Sequence, residues 1–233
     1  MDKLSIVVPI FNEEKLVARL CEFLSEAQRD DDRIGEIVFV DGQSTDQSKT
    51  VISNFGFDCI VSKIRSRAGQ MNVGAEKTNH NILYFIHADV LPPKSFIDDI
   101  FIALDEGFDF GCFSYRFDSP STLLKINAKF TRRDSSVIGG GDQTLFIKRS
   151  VFESLGGFQD DHIIMEDYEL FWRAKKLYKY KLIPNDALVS ARKYQHNSYL
   201  KVQLVNLIVF NGYRLGINQQ RLKSWYGKWL RSS

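Results

Sequence analysis

The sequence predicts an α/β domain built on a Rossmann-like, mainly parallel sheet flanked by helices, with a C-terminal helical tail. Two observations support this prediction. Short apolar runs typical of buried strands alternate with longer segments of helical periodicity, and connections of that length favour right-handed crossovers between parallel strands. No repeat or low-complexity linker interrupts the pattern. We therefore expect one domain over residues 1–197 and basic amphipathic helices over residues 198–233, packed on or beside it.

The first half of the chain supplies the regular part of the predicted sheet. Strands are expected at the apolar runs 4–10, 36–40, 57–62 and 82–86. Helices are expected at 13–28, 44–55, 68–78 and 95–105. The first helix repeats its apolar residues at helical spacing, and polar capping residues precede the second. This alternation is typical of a parallel sheet covered by helices on both faces.

The second half of the chain is less regular. A strand is expected at 109–117, and the segment 136–158 predicts a glycine-rich loop, a strand and a short helix. A helix that begins with carboxylates is expected at 165–177, and two short strands are expected near 180–183 and 187–191. The amphipathic segments 199–216 and 219–231 predict the helical tail.

The composition is that of a globular protein, with 44% hydrophobic and 26% charged residues in 233. Cys21, Cys59 and Cys112 lack metal-ligand spacing, so we interpret them as buried, reduced thiols of a cytosolic protein. The N-terminal apolar run is too short for a signal peptide, and the run at 204–210 is too short to cross a bilayer. We therefore expect a cytoplasmic location, with peripheral attachment to the inner face of the membrane as an option.

The charge is unevenly distributed along the chain. Residues 173–233 contain 13 Lys and Arg but a single acid, Asp186, whereas residues 1–172 contain 18 basic and 28 acidic side chains. Such asymmetry predicts an anionic partner, although a merely solvated basic face is the alternative. Basic and aromatic residues alternate over 199–231, which favours an anionic membrane surface over nucleic acid because no nucleic-acid motif is present. Packing on the preceding domain and a dimer contact are the other interpretations.

Polar residues follow three of the predicted strands, where ligands bind in open parallel sheets. These ends carry the segments PIFNEE (9–14), DGQS (41–44) and HAD (87–89). The first lacks both a G-x-G-x-x-G fingerprint and a P-loop, which argues against a dinucleotide or a P-loop nucleotide site. Asp41 could accept hydrogen bonds from a base or ribose, or it could cap the following turn.

His87 and Asp89 are candidates for metal and phosphate binding. Their side chains point to the same side of the strand because side chains alternate along it. Asp89 offers the hard oxygen that Mg²⁺ or Mn²⁺ prefers, and such ions usually also bind substrate phosphates. His87 could bind the metal, hold a water, or donate to a sugar or phosphate. The alternative is a histidine that only caps the strand end.

Six segments occur in an order that resembles the family-2 glycosyltransferases of the GT-A fold. They are SIVVPIFNEE, EIVFVDGQSTDQS, SRAGQMNVGA, LYFIHADVLPP, GGGDQTLFIKRSVFESLGGF and IMEDYELFWRAKK. The resemblance covers roughly residues 4–195, and it is strongest to small, single-domain bacterial enzymes with HAD in the metal motif and a segment similar to Arg192-Lys193-Tyr194. It implies transfer of a hexose from a nucleoside-diphosphate sugar to an acceptor hydroxyl, with inversion and with metal assistance. A lipid-linked acceptor is one option, and the motifs leave the base, the acceptor and the oligomeric state open.

The resemblance also implies roles for individual residues. The nucleotide-binding residues would be Pro9, Phe11, Glu13, Asp41, Arg67, Asn72 and His87. The acceptor and donor sugar would contact Gly141, Asp142, Gln143 and Arg192, although the glycine-rich segment could also be a simple turn. A divalent metal, Mg²⁺ or Mn²⁺, would bind Asp89, with His87 and His196 as further candidate ligands. This sequence departs from the family at His87 and Gly42, where an aspartate is usual, which puts the metal affinity and the nucleotide preference in question.

Asp167 matches the catalytic base of the family. An acceptor hydroxyl must lose its proton as it attacks the anomeric carbon, and a carboxylate that faces this hydroxyl can take the proton. Glu166 would either orient the acceptor or lie behind the residues that contact it. Without the resemblance, both acids could instead be favourable charges at a helix N-terminus. The rival hypotheses are a nucleotidyltransferase on a similar sheet, which would need a glycine-rich basic loop in place of PIFNEE, and a non-catalytic protein that binds sugar nucleotides.

Overall fold

Eight strands form one sheet in the computed structural model, which describes residues 2–133 and 139–230. The strands are β1 (Leu4–Ile10), β2 (Ile34–Asp41), β3 (Asp58–Val61), β4 (Ile82–Phe85), β5 (Val90–Leu91), β6 (Phe110–Phe117), β7 (Leu145–Lys148) and β8 (Tyr180–Val189). Their spatial order is β3-β2-β1-β4-β7-β6-β8-β5. Within the described residues, four strand pairings are parallel and three are antiparallel. The predicted parallel half is therefore confirmed, and the sheet becomes mixed from β7 onward.

Helices cover both faces of this sheet. They are α1 (Glu14–Asp30), α2 (Ser48–Asn54), α3 (Arg67–Glu76), α4 (Phe96–Asp105), α5 (Thr122–Phe130), α6 (Arg149–Ser154), α7 (Glu166–Lys175), α8 (Tyr199–Arg214) and α9 (Gln219–Trp229). Residues from α1, α2 and α4 pack on one face, and residues from α3, α6 and α7 pack on the other. All seven residues of β1 are buried, because it lies between two helical layers. That burial explains its nearly continuous apolar sequence.

The antiparallel pairing of β7 with β4 positions the glycine-rich segment. Phe85 pairs with Leu145, so the residues just before β7 lie beside the residues just after β4. The parallel pairings of β1 with β2 and β4 place the ends of those three strands at the same edge. This edge of the sheet, which we call the rim, therefore collects PIFNEE, DGQS, HAD and residues 139–144. Residues 136–138 of the predicted glycine-rich segment lie outside the described residues.

One prediction about the second half of the chain needs correction. The two short strands near 180–183 and 187–191 are one strand, β8, whose pairing with β6 shifts between Phe113 and Tyr115. Ile183 pairs with Phe113 and Ala187 pairs with Tyr115, so residues 184–186 bulge out of the ladder. Pro184, which has no N–H to donate, lies in this bulge and interrupts the strand pattern of the sequence.

Helix α5 and strand β5 were not predicted from the sequence. Helix α5 packs on β6 through Leu124 and Ala128, which are four residues apart and buried. That spacing was the only signal, and the helix is too short to show a full amphipathic pattern. Strand β5 has two residues and pairs with β8, so only the tertiary structure defines it.

Helices α8 and α9 pack on each other and on the segment around α7. Their shared apolar cluster contains Val202, Val205, Val209, Leu222 and Leu230. The ring of Phe210 lies 5.7 Å from that of Trp172 on α7, centroid to centroid. Among the described residues, no helix has the length and apolar character needed to cross a bilayer. The division into residues 1–197 and 198–233 stays a prediction.

Candidate active site

Asp167 and His87 face each other in a small pocket at the rim. His87 follows β4, and Asp167 is the second residue of α7. The Nε2 atom of His87 lies 3.6 Å from Oδ2 of Asp167, and each side chain is 12% exposed. Met165, just before α7, adopts a left-handed backbone conformation with φ 67°, which turns the chain so that the helix begins at Glu166. The pocket is lined by Phe85, His87, Gly139, Gly140, Gly141, Thr144, Leu145 and Asp167.

The pocket requires a glycine at position 141. A Cβ atom there would overlap the ring of His87 and would lie 2.6 Å from Oδ2 of Asp167. The loop is fixed by Gln143, whose buried Oε1 accepts a 2.9 Å hydrogen bond from the Gly139 N–H. Its Nε2 donates to the carbonyl of Phe113 at 3.4 Å. The Oε1 and Nε2 atoms of Gln143 therefore both form hydrogen bonds within the protein. The resemblance had implied a sugar contact for this residue. The backbone at Gly141 lies close to the side chains of His87 and Asp167, and this explains why the segment contains glycine.

Burial sets the protonation states of both pocket residues. It raises the pKa of Asp167 well above the usual aspartate value, and the negative charge of Glu166 raises this pKa further. The positive charge of Arg67 acts in the opposite direction. Burial also lowers the pKa of His87 well below its usual value, assisted by the charges of Arg67 and Lys193. The imidazole is therefore neutral near pH 7, and the carboxyl group of Asp167 has the high proton affinity that a general base needs.

Arg67 provides a positive charge close to several acids of the rim. It is the first residue of α3, which Ser66 caps by accepting a 3.1 Å hydrogen bond from the Gly69 N–H. Its Nη1 atom lies 3.3 Å from Oε1 of the buried Glu166. Burial disfavours the charged form of Arg67. Its pKa is nevertheless raised by the negative charges of four carboxylates, Glu166, Asp167, Asp89 and Asp142. Because its side chain is 55% exposed, its guanidinium is accessible to an anionic ligand.

Arg192 connects the first strand end to the metal motif. It lies in a short 3-10 helix (Arg192–Tyr194) after β8. Its Nη1 and Nη2 atoms each donate a 2.5 Å hydrogen bond to the carboxylate of Glu13. Nη2 also lies 3.8 Å from Oδ2 of Asp89. Burial raises the pKa of Glu13, although the hydrogen bonds from Arg192 oppose this shift. The side chain that was predicted to contact the sugar therefore bridges two predicted ligand-binding carboxylates.

Gln70 holds the ends of β1 and β2 together, and Asp41 caps the turn that follows β2. Asp41 is fully buried, and its two oxygens accept hydrogen bonds from the Ser44 N–H at 3.0 and 3.2 Å. It therefore caps the turn, which was the alternative interpretation of this residue. The Nε2 atom of Gln70 donates to backbone carbonyls of β1 and β2 at 2.7 and 2.6 Å. A Cβ at Gly42 would lie 3.0 Å from the Gln70 amide, so the side chain of Gln70 occupies the space next to Gly42.

Asn72 and His196 have surroundings that differ from those expected. The amide of Asn72 donates to the Phe158 carbonyl at 2.8 Å and accepts from the Phe158 N–H at 2.9 Å, so it fixes the chain before α7. His196 is exposed, in the turn that precedes α8. Phe11 is also exposed at the rim, whereas Pro9 is buried within β1. The ligand contacts predicted for these four residues stay predictions.

Lys193 was not predicted from the sequence, yet it interacts with the site. Burial raises the pKa of Asp142, and the positive charge of Lys193 opposes this effect. Burial opposes the charge of Lys193 itself, while Asp142 and Tyr226 stabilise it and raise its pKa. The only signal in the sequence was its place beside Arg192. The charges of Asp142 and Lys193 therefore stabilise each other.

The residues at Asp89 fit a metal ion that is shared with a phosphate ligand. In the described part of the chain, no three His, Cys, Asp or Glu side chains converge as a metal site. Asp89 is partly exposed, however, and Mg²⁺ commonly binds through one or two carboxylates together with waters and substrate phosphates. His87 is held in the neutral form that can ligate a metal. Asp89 would thus be the primary protein ligand, and Arg192 would compete with the metal for its carboxylate.

The model of the family described as "Glycosyl transferase family 2" matches residues 5–174. The chain belongs to glycosyltransferase family 2. The match spans β1 to α7. It includes the four rim segments but neither Arg192 nor the residues that follow it. This confirms the resemblance found in the sequence. A comparison with curated proteins gave no match.

Solved structures confirm the fold of this family-2 chain. S. aureus TarS 1-349 in complex with UDP superposes with a TM-score of 0.66 at 14% identity, covering 97% of this chain and 70% of TarS 1-349. The mannosyltransferase PcManGT from Pyrobaculum calidifontis, in complex with GDP-Man and Mn²⁺, gives 0.65 at 18%, covering 89% and 62%. Glucosyl-3-phosphoglycerate synthase from Mycobacterium tuberculosis, with Mg²⁺ and UDP, gives 0.63 at 17%, covering 93% and 80%. The chain spans 64% of TarS 1-349 in another structure and 42% of a longer TarS structure.

Proposed function

We propose that this protein transfers a hexose from a nucleoside-diphosphate sugar to an acceptor hydroxyl, with inversion at the anomeric carbon. The observation that carries the proposal is the pocket in which Asp167 faces His87 beside Gly141. A carboxyl group with a raised pKa, at the open edge of a family-2 sheet, is suited to accept the proton of the acceptor. The complexes of the similar structures with UDP and GDP-Man support a nucleotide-sugar donor.

In the proposed reaction, Asp167 accepts the proton of the acceptor hydroxyl as its oxygen attacks the anomeric carbon. The bond from this carbon to the diphosphate breaks in the same step, and the electron pair leaves with the nucleoside diphosphate. One displacement inverts the configuration. Neutral His87, 3.6 Å from Asp167, can donate a hydrogen bond to the sugar or to the departing phosphate.

The rim would stabilise the negative charge of the leaving group. Arg67 is the exposed cation next to Glu166, and Arg192 would exchange its contact with Glu13 for one with the diphosphate. Asp89 would hold Mg²⁺ or Mn²⁺, which supplies charge neutralisation at the diphosphate when bound. Complexes of the similar structures with Mn²⁺ or Mg²⁺ support this assignment.

Donor hydrolysis tests the proposal. Purified protein with Mn²⁺ and a panel that includes UDP-glucose, UDP-GlcNAc and GDP-mannose should slowly release nucleoside diphosphate with at least one donor. The variant Asp167→Asn should release about 10²–10⁴-fold less, because a general base contributes about that factor. Asp161→Asn, an exposed carboxylate outside the pocket, is the matched control and should keep full activity.

Binding measurements separate catalysis from mere ligand binding. A donor or nucleoside diphosphate that raises the unfolding temperature of the wild type should also raise that of Asp167→Asn. Full activity of Asp167→Asn would refute the role of Asp167. Thermal stabilisation without any turnover, once an acceptor panel is included, would favour the non-catalytic alternative. NMR of the product fixes the anomeric configuration, and retention would contradict the single displacement.

A further inference from the structure

Helix α8 carries a row of exposed leucines that the core does not use. Leu200, Leu204 and Leu207 are 57% to 75% exposed, and their spacing of four and three residues places them on one face. The helix buries its opposite face, through Val202, Val205 and Val209. Leu215, just after the helix, is 81% exposed. Single exposed apolar residues are common on protein surfaces, but an ordered row on one helix face is not.

Helix α5 carries a second row of the same kind. Leu123, Ile126 and Phe130 are 48% to 64% exposed and follow each other at helical spacing. The buried contacts of this helix come from Leu124 and Ala128 on its other side. Helices α5 and α8 therefore each have an exposed apolar face in addition to the face that they bury. We call them together the leucine-rich surface, defined by Leu123, Ile126, Phe130, Leu200, Leu204 and Leu207.

Hydrogen bonds join the two helices next to the site. Tyr115 on β6 donates to Oδ1 of Asn127 on α5 at 3.3 Å, and Nδ2 of Asn127 donates to the hydroxyl of Tyr199 at 3.5 Å. Tyr199 is the first residue of α8, and its ring stacks on that of Tyr194 with 6.1 Å between centroids. Tyr194 follows Lys193, whose charge interacts with Asp142. The leucine-rich surface thus lies on two helices that are joined to each other through Asn127 and Tyr199.

The segments that carry these two helices contain basic residues and no acids. Residues 119–133 include four basic residues and no acid, and residues 199–230 include five basic residues and no acid. Arg132 pairs with Asp186 at 2.6 Å, but Lys125 and Lys129 are exposed and have no ion pair within the part of the chain that the structure describes. Lys201 is likewise exposed, next to Leu200. Lysines that border exposed leucines are typical of a surface for anionic lipids.

We infer that the leucine-rich surface docks the protein on an anionic lipid bilayer. The leucines would enter the boundary between headgroups and acyl chains, and the lysines would contact the acidic headgroups. This assignment differs from the one drawn from the sequence, which relied on the basic and aromatic residues of 199–231. Trp225 and Trp229 instead stack on each other at 5.6 Å and pack against the cluster of α8 and α9.

Vesicle flotation with the full chain tests the inference. The wild type should float with vesicles of equimolar phosphatidylglycerol and phosphatidylcholine and should stay at the bottom with phosphatidylcholine alone. Because the assay needs no sugar nucleotide, its outcome is independent of the proposed enzymatic function. Added salt should weaken binding, since salt screens the contribution of the lysines.

Matched variants locate the docking surface. Leu200→Ser, Leu204→Ser and Leu207→Ser combined should weaken binding at least tenfold, and the serines are compatible with folding because these positions are exposed. Lys125→Gln and Lys129→Gln should each weaken binding about fivefold, from about 1 kcal/mol per charge near an anionic surface. Ile102→Ser with Leu177→Ser removes exposed apolar side chains elsewhere and should leave binding unchanged.

Three outcomes would overturn the inference. The first is that the wild type does not float with anionic vesicles. The second is that the triple leucine variant floats as the wild type does. The third is that the protein is a dimer by sedimentation equilibrium, becomes monomeric in the triple variant, and never binds vesicles, which would assign the leucine-rich surface to self-association.

Discussion

Arg192 and Glu13 form a bidentate ion pair although they are 179 residues apart in the sequence, and both hydrogen bonds are 2.5 Å long. The pair closes the rim by linking the segment after β8 to the segment after β1. It also places the guanidinium 3.8 Å from Asp89, where the charge of a donor diphosphate is expected to lie. The same arginine thus stabilises the fold without ligand and is available for ligand binding.

A double-mutant cycle on this pair should give a coupling of about 1–2 kcal/mol in the free energy of unfolding, because both side chains are mostly buried. Arg192→Ala alone should destabilise the protein more than the double variant Glu13→Ala/Arg192→Ala does, since it leaves the carboxylate of Glu13 without its partner. Urea denaturation measures all three variants. Additive effects of the two single substitutions would show that the pair contributes no net stability.

The loss of activity at low pH should depend on Arg67. Arg67 lowers the pKa of Asp167, whereas burial and Glu166 raise it. Removing the positive charge in Arg67→Gln should therefore raise this pKa further. Since the base acts only when deprotonated, the pH at which activity is half lost on the acidic side should move upward. The rate at saturating donor, measured across pH, checks the shift, and Arg65→Gln is the matched control. A downward shift or none would contradict the assignment.

The raised pKa of Asp167 also predicts a pH dependence of the free energy of unfolding. The folded state holds the proton of Asp167 more tightly than the unfolded state does, because its folded pKa is raised. The contribution of Asp167 to wild-type stability should therefore fall as pH rises from the ordinary aspartate pKa of about 3.9 to the raised folded value, by about 1.4 kcal/mol per pH unit at most. Asp167→Asn lacks this loss, so its stability relative to the wild type should grow over that window. Parallel curves of stability against pH, from chemical denaturation, would refute the raised pKa.

Gly141→Ala should abolish most activity. The added methyl would overlap the His87 ring and crowd Asp167, so one of these side chains must move. A displacement of about 1 Å costs roughly 10²-fold in rate, and overpacking costs about 1–3 kcal/mol of stability. Gly227→Ala, on the exposed side of α9 where a Cβ would meet nothing within 4 Å, serves as control and should be neutral or slightly stabilising. Unchanged turnover in Gly141→Ala would exclude this pocket as the site of reaction.

Gln70→Leu should destabilise the protein by about 1–3 kcal/mol, because the leucine cannot donate to the two backbone carbonyls that Gln70 joins. Gln220→Leu, at an exposed position on α9, should change stability by less than about 0.5 kcal/mol. Thermal or urea unfolding compares them. Equal stability of the two variants would mean that other contacts hold the ends of β1 and β2.

The regular first half of the fold could be predicted from the sequence because its strands are short, predominantly apolar runs. The positions of Asp41, His87 and Asp89 at the strand ends followed directly, since parallel strands deliver their carboxyl ends to one edge. The family motifs added Asp167, which no periodicity distinguishes from an ordinary carboxylate in the first turn of a helix.

The remaining features depend on pairing between distant segments. The bonds of Gln70 and the ion pair of Arg192 reach across 60 and 179 positions, and local patterns contain no information about such contacts. Helix α5 was missed because it has nine residues and two buried positions. The bulge at residues 184–186 was mistaken for a gap between strands, because Pro184 breaks the alternation that identifies a strand.

The pairing of β4 with β7 has a consequence for how this protein can diversify. Phe85 and Leu145 are locked in register, and only three residues separate Gly141 from that pair. An insertion or deletion between positions 141 and 145 would shift the glycine relative to the imidazole and disassemble the pocket, whatever residues were added. We therefore expect changes in loop length to be confined to other connections, while this short stretch changes by substitution alone.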